Sequence, residues 1–198
     1  MKKIIISQRF EKIGKFKELR DNLDTRLTNL ILKLGFLPIL LPSNSRNVLR
    51  YINEISPSGI ILSGGGNPKK KDERYNSEKI LLNFASKKKI PLLGICRGAQ
   101  RINIHFKGKL RKIKNHVRKK HFISGPSIIK GIKVNSYHDL GFNKKMLGKK
   151  LNNLATSNDG IVKYFKHENN LFFGIMWHPE RDREVSYFDK KLIKDIFR

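Results

Sequence analysis

Of the 198 residues only Cys96 is a cysteine. One thiol cannot build an internal disulfide framework, and such sparing use fits a reducing cytoplasm. Long apolar runs are missing too. Nowhere do about eighteen apolar residues follow one another, the length a membrane-crossing helix needs, so no membrane partner is expected. The short apolar run Ile4 to Ile6 is cut off at once by Ser7, Gln8 and Arg9, which matches no signal peptide. Acidic side chains are scarce, 16 against 43 Lys and Arg, leaving a net charge of +27. Such an excess raises three anionic partners: nucleic acid, a charged membrane surface or an acidic substrate. Nucleic acid is not the expected one, because no recognised binding motif and no interleaved aromatics accompany the charge. Two readings of the excess then stand side by side. The lysines are spread along the chain among many Ile and Asn residues, as codon drift would leave them on a solvated surface, or they attract an anionic substrate.

What is present describes a soluble globular chain, with 38% hydrophobic and 30% charged residues and a length that encloses one core. A single domain over 1–198 is expected. Lys3 to Ser7 reads as a buried strand, because its apolar run is continuous, β-branched and too brief for a helix. Leu23, Leu27, Leu30, Ile31 and Leu34 recur at helical spacing, with Gly35 placed for a left-handed cap. Strands follow at Phe36 to Leu41, Gly59 to Leu62 and Ile90 to Ile95. Helices are predicted around Val48 to Ile55 and through Ile80, Leu81 and Phe84. Alternation at this interval predicts an α/β fold with a mostly parallel open sheet, helices on both faces and sites in loops at the strands' carboxyl ends. Beyond Phe106 a basic loop from Lys107 to Lys120 precedes strand-like pieces at Ile132 to Tyr137, Gly160 to Phe165 and Leu171 to Trp177. A last helix carries Phe188, Leu192, Ile193 and Ile196.

Gly94-Ile95-Cys96-Arg97-Gly98 sets the lone cysteine between a buried strand and a helix, the arrangement of a nucleophile elbow. A turn that sharp needs neighbours without Cβ atoms, and the helix N-terminus favours a thiolate. Most lone cysteines are small core residues. With 15 glycines in 198 residues, however, chance would place Gly on both flanks in roughly six cases per thousand. A thiolate needs a base with an orienting partner, and Trp177-His178-Pro179-Glu180 offers both. On an extended segment His178 and Glu180 point to the same side, with Pro179 stiffening the backbone between them. Alone, such a pair would be a surface ion pair. The loop Ser63 to Gly66 ends another buried strand and is either a plain turn or an oxyanion hole, in which the N–H groups of Gly65 and Arg97 meet a tetrahedral intermediate. It lacks the Lys-Ser/Thr ending of a phosphate-binding P-loop. His105, His116, His121, His138 and His167 show no metal-ligand spacing, so no metal and no cofactor are expected. His105 reads as a helix residue, His116 and His121 as members of the basic loop.

Gly94-Ile95-Cys96-Arg97-Gly98-Ala99-Gln100, Leu62-Ser63-Gly64-Gly65 and Trp177-His178-Pro179-Glu180 together resemble the class I glutamine amidotransferase superfamily. Arg97 and the segment Val134-Asn135-Ser136-Tyr137-His138 resemble its γ-glutamyl hydrolase branch. The opening Ile6-Ser7-Gln8-Arg9 and the ending Ile175 to Arg181 are similar to the bacterial γ-glutamyl-CDP-amidate hydrolases of capsule phosphoramidate biosynthesis. The resemblance implies a flavodoxin-like sheet, Cys96, His178 and Glu180 as the catalytic set, and Gln100, Ser136, Tyr137 and His138 as holders of the glutamyl α-amino and α-carboxylate ends. Two residues depart from the branch's pattern: Asn67 stands where Asp is usual, and Lys107 where Gly is.

The expected reaction is hydrolysis of a γ-glutamyl amide through a thioester on Cys96, releasing glutamate and an amine, with a nucleotide phosphoramidate among the leaving groups. A small anionic γ-glutamyl compound is thus the expected partner. One alternative is a glutaminase subunit delivering ammonia to a synthase, a partner not expected here. Another, of a different class, is a nucleic-acid or anionic-surface binder on a retired enzyme fold.

Overall fold

The computed structural model of the chain describes residues 1–126 and 131–198. Along the chain run β1 (Lys3–Ser7), β2 (Arg9–Ile13), β3 (Glu18–Asn22), α1 (Thr25–Lys33), β4 (Leu37–Leu41), α2 (Val48–Ile55), β5 (Gly59–Leu62), α3 (Glu73–Lys88), β6 (Leu92–Ile95), α4 (Arg97–His105) and β7 (Arg111–Lys112). Then follow β8 (Val117–Ser124), β9 (Lys133–Tyr137), β10 (Leu140–Gly141), β11 (Leu151–Ser157), β12 (Val162–His167), β13 (Phe172–Ile175) and α5 (Tyr187–Phe197). The main sheet has the order β4-β1-β5-β6-β13-β12-β11-β8-β9. From β4 to β13 neighbouring strands pair parallel, and from β13 to β9 they pair antiparallel.

Each helix of the parallel half starts or stops where its local chemistry requires. The Asp24 carboxylate accepts the N–H of Arg26 at the start of α1, and that of Asp72 accepts the N–H of Tyr75 at the start of α3, taking up donors that a helix start leaves without partners. Past α1, Gly35 has φ +90°, the left-handed turn expected of a glycine there. Apolar residues pack on both faces of the sheet. Leu27, Ile31 and Phe197 join Ile4, Ile6 and Ile61 on one side, under α1 and α5. On the other, Val48, Ile52, Leu81, Leu82, Ala99 and Ile102 join Ile5, Ile60 and Leu62 under α2, α3 and α4.

Topology decides what can meet. The strands β1, β5, β6 and β13 are consecutive neighbours and parallel, so Ser7, the Ser63 to Gly66 loop, Cys96 and the residues after Ile175 share one sheet edge. Three sequence expectations are corrected. The stretch Lys107 to Lys120 is not a loop throughout: it holds β7 and the first half of β8. His121 lies on β8, and His116 just before it is buried, with its ring stacked on that of His121 at 4.1 Å between centroids. The basic side chains around it point to solvent, which hid the strand. Finally, Glu180 does not extend the strand of His178 but sits in a single 3-10 turn, Pro179–Arg181, because proline is suited to the first position of a helical turn.

Candidate active site

The elbow is built as the glycines require. Cys96 has φ +50° and ψ −101°, a strained conformation for a residue with a side chain. Its N–H is held by the Ile175 carbonyl at 2.7 Å, and its own carbonyl accepts the N–H of Gln100 at 3.0 Å as α4 begins. A Cβ at Gly94 would come within 2.6 Å of the Ala99 backbone nitrogen, and one at Gly98 would collide with the Leu62 carbonyl. Strand and helix can approach each other only through these two glycines. The sulfur makes no capping bond to its own helix and faces a cavity of about 550 Å³ lined also by His178, Gly65, Arg97, Gln100, Tyr137 and His138.

His178 reaches Cys96 from the neighbouring strand end. Its Nδ1 lies 2.6 Å from Glu180 Oε1, so that nitrogen carries the proton and donates it to the carboxylate, leaving Nε2 for the sulfur. Asn135 on β9 fixes the backbone of His178 from both sides, accepting its N–H at 2.9 Å and donating to its carbonyl at 2.8 Å. Burial opposes a charge on this imidazole, yet hydrogen bonds to Cys96 and Glu180 outweigh it and push the His178 pKa up to about 9. Gly64 passes so close to the ring that a Cβ there would strike Cε1. Gly65 and Gly66 both have φ +81°, a conformation that favours glycine.

The other predicted site residues divide into two groups. Gln100 and Tyr137 line the cavity, although the Gln100 amide is already donated to the Leu140 carbonyl at 2.7 Å. Ser136 and His138 belong to a buried cluster around Lys163, a residue the sequence did not single out. The Lys163 ammonium has three donors and three acceptors for them: Ser136 Oγ, His116 Nδ1 at 3.0 Å and His138 Nε2 at 3.2 Å. The second nitrogens then donate, His138 Nδ1 to the Leu140 carbonyl at 2.9 Å and His116 Nε2 to Asp159 at 2.7 Å. Both tautomers are therefore fixed, and His138 shows the cavity a ring whose nitrogens are both engaged. Burial is the main force that lowers Lys163 to about 8 and holds His138 well below the usual histidine range.

Charge around the cavity is one-sided. Arg9, Lys69, Lys112 and Arg181 border it, with Asp139 the carboxylate among its lining residues. Arg97 does not add its charge there, because its guanidinium turns away to pair with buried Glu78. Among the described residues no cluster of His, Cys, Asp or Glu could hold a metal ion, and no helix is long and apolar enough to cross a membrane.

Comparison with known proteins places these features in a family. The model of the glutamine amidotransferase class-I family matches residues 17–198. A Campylobacter jejuni protein named gamma-glutamyl-CDP-amidate hydrolase is 38% identical over 147 residues, covering 70% of this chain and 68% of its own. A Pyrococcus abyssi relative, the glutamine-hydrolyzing subunit of GMP synthase, is 32% identical over 137 residues, covering 67% and 71%. The fold is shared with a solved glutamine amidotransferase from Thermotoga maritima, at a TM-score of 0.68 and 18% identity, covering 90% of this chain and 76% of that one. This chain belongs to the glutamine amidotransferase class-I family.

Proposed function

We infer that the chain, acting as one catalytic domain, hydrolyses a γ-glutamyl amide through a thioester on Cys96. The observation that carries this reading is the buried line from Cys96 through His178 to Glu180, at the edge of a cavity beside the glycine loop. Cys96 Sγ attacks the γ-carbonyl carbon, and the oxygen takes up the negative charge next to the N–H groups of Gly65 and Arg97. As the C–N bond breaks, the amine takes a proton from His178. Water then gives a proton back to His178 while its oxygen attacks the thioester, which releases glutamate and restores the thiol. Glu180 keeps the imidazole in the tautomer that can do this. Gln100, Tyr137 and the segment carrying Ser136 and His138 form the wall against which the glutamyl head would rest.

For the leaving group, the basic rim of Arg9, Lys69 and Lys112 supports an anion, and the name of the Campylobacter jejuni relative points to a nucleotide phosphoramidate of the kind used in capsule biosynthesis. A cytoplasmic location fits such a substrate. The test is a screen of γ-glutamyl conjugates with the purified chain, identifying the amine released. Wild type should hydrolyse them without a partner, and Cys96→Ala should not; full activity in Cys96→Ala would overturn the mechanism. The synthase names among the relatives favour a second reading, a glutaminase subunit that passes ammonia to a partner. Its mark would be a chain inactive by itself on every conjugate.

A further inference from the structure

Behind the glycine loop lies a buried ionic network that the reaction above does not use. Glu78 on α3 is wholly buried, and Arg74, one helical turn before it, is 3% exposed. Glu78 Oε1 accepts from Arg74 Nε at 2.9 Å and from Ser7 Oγ at 3.0 Å, while Oε2 accepts from the Arg97 guanidinium. The two far nitrogens of Arg74 fan out over the loop. Nη2 donates to the Ser63 carbonyl at 2.7 Å and to Ser63 Oγ at 3.0 Å, and Nη1 donates to the Gly65 carbonyl at 2.9 Å. The Gly64 carbonyl lies between them, 3.4 and 3.5 Å away.

The geometry of the peptide unit turns these contacts into a statement about the other side of the loop. No peptide bond among the described residues is cis, and in a trans peptide the C=O and the N–H point in opposite directions. With the Gly64 carbonyl turned toward Arg74 and α3, the N–H of Gly65 must point away from α3. Gly65 lines the cavity that holds Cys96. Arg97, for its part, begins α4, where the N–H groups have no partner within the helix, and its side chain is anchored on the same Glu78.

We propose that Arg74 and Glu78 are positioning residues that aim the two oxyanion donors, the N–H groups of Gly65 and Arg97, by binding the glycine loop and the elbow to one buried carboxylate. The idea rests on the thioester reading of Cys96 for its catalytic meaning, but the orientation it describes belongs to the loop. Lysine cannot replace Arg74, because one ammonium cannot span three carbonyls as the guanidinium fork does. Its charge would still face Glu78. Burial opposes the charge on both partners, yet Arg97 and Arg74 keep Glu78 below the usual carboxylate range and Arg74 stays near 10, so both are ionised at neutral pH.

The experiment compares two single-turnover reactions of Cys96 in the full chain. Acylation by p-nitrophenyl acetate passes through an oxyanion, whereas alkylation by iodoacetamide does not, and neither needs the natural substrate. In Arg74→Lys, acylation should slow by about tenfold or more, within the range known for damaged oxyanion holes, while alkylation stays within about twofold of wild type. Arg74→Met should show the same pattern more strongly, with a thermal transition measured to confirm folding. Equal slowing of both reactions would mean that the network acts on the nucleophile, and unchanged acylation would mean that the loop needs no such support; either result overturns the proposal. A wild type that is acylated by the ester yet hydrolyses no γ-glutamyl conjugate would sink the functional reading alone.

Discussion

Only Pro179 separates His178 from Glu180, yet the imidazole Nδ1 and the carboxylate Oε1 lie 2.6 Å apart. Two neighbours so close on the chain meet because the strand ends at Ile175 and the backbone turns at once into the 3-10 turn that begins with Pro179. A carboxylate carried on the histidine's own turn moves with it, which makes the pair a rigid unit.

The unit sets a pH limit. With His178 raised to about 9, the proton needed by the departing amine is present below that pH and lost above it, so kcat should fall on the alkaline side near 9. Glu180→Gln keeps a hydrogen-bond acceptor but removes the charge that favours the imidazolium. The alkaline limb should therefore move to lower pH, with a smaller loss of kcat at pH 7 than the hundredfold or so expected for His178→Asn. A pH–rate profile of the three proteins checks this. An alkaline limb that moves upward in Glu180→Gln would contradict the assignment.

Lys163 makes a prediction of opposite sign for stability. Its folded pKa of about 8 lies below the ordinary lysine value of 10.5, so between these pH values the unfolded chain binds more protons, and stability contributed by this residue rises with pH. Below 8 both states are protonated and the burial penalty is fully present. The difference in unfolding free energy between wild type and Lys163→Met should thus shift toward wild type from pH 8 to pH 10, by up to about 3 kcal/mol over the whole window. Urea unfolding at a series of pH values measures it, and a shift in the other direction would mean that the ammonium is stabilised by its surroundings.

At the end of α4, Lys107 has φ +68°, and the following N–H, of Gly108, returns to the Asn103 carbonyl at 2.8 Å. This is the left-handed exit that glycine usually fills, and it gives a physical reason for the glycine that related sequences lead one to expect there. Lys107→Gly should stabilise the chain by about 0.5 kcal/mol, the relief of left-handed strain minus the entropy that glycine adds to the unfolded state. The check is a rise in the thermal midpoint with activity unchanged; a fall would show that the lysine stem makes packing contacts that outweigh the strain.

The parallel half of the sheet was legible because strands buried on both faces leave unbroken runs such as Ile4 to Ile6 and Gly59 to Leu62. The antiparallel half was much less so. In β8, Ile123 is the buried residue of an otherwise polar strand, Val117–Ser124, and β11 reads Leu-Asn-Asn-Leu-Ala-Thr-Ser, so neither displays a clear alternation. Within the candidate site, Cys96, His178 and Glu180 stand in short contiguous motifs that announce themselves. The network behind them does not. Arg74 and Glu78 look like ordinary solvated charges on a helix, and the partners of Glu78 lie as far away as Ser7, 71 residues earlier. Lys163 is hidden in the same way, since a lysine in a strand is read as pointing to water unless the histidines that accept its hydrogen bonds are known to be its neighbours.

The last prediction concerns the use of the positive charge. The sequence alone made Lys69 to Lys71, Arg97 and the stretch Lys107 to Lys120 equal candidates for attracting an anion, but the structure separates them. Arg97 is committed to Glu78, and Lys70 lies 3.5 Å from Asp72, whereas Lys69 and Lys112 border the cavity. Attraction by these two acts over roughly a Debye length of 10 Å at 0.1 M salt, so its mark should be kinetic. kcat/KM for a phosphate-bearing γ-glutamyl conjugate should exceed that for glutamine and fall as salt rises, with a much weaker trend for glutamine. Lys69→Glu and Lys112→Glu should each reproduce the effect of salt on the conjugate, and Lys70→Glu should do so far less. If glutamine is the better substrate, or if the three reversals act alike, the excess charge is a property of the whole surface and not of the site. The leaving group would then have to be sought among uncharged amines, with the Cys96 chemistry untouched.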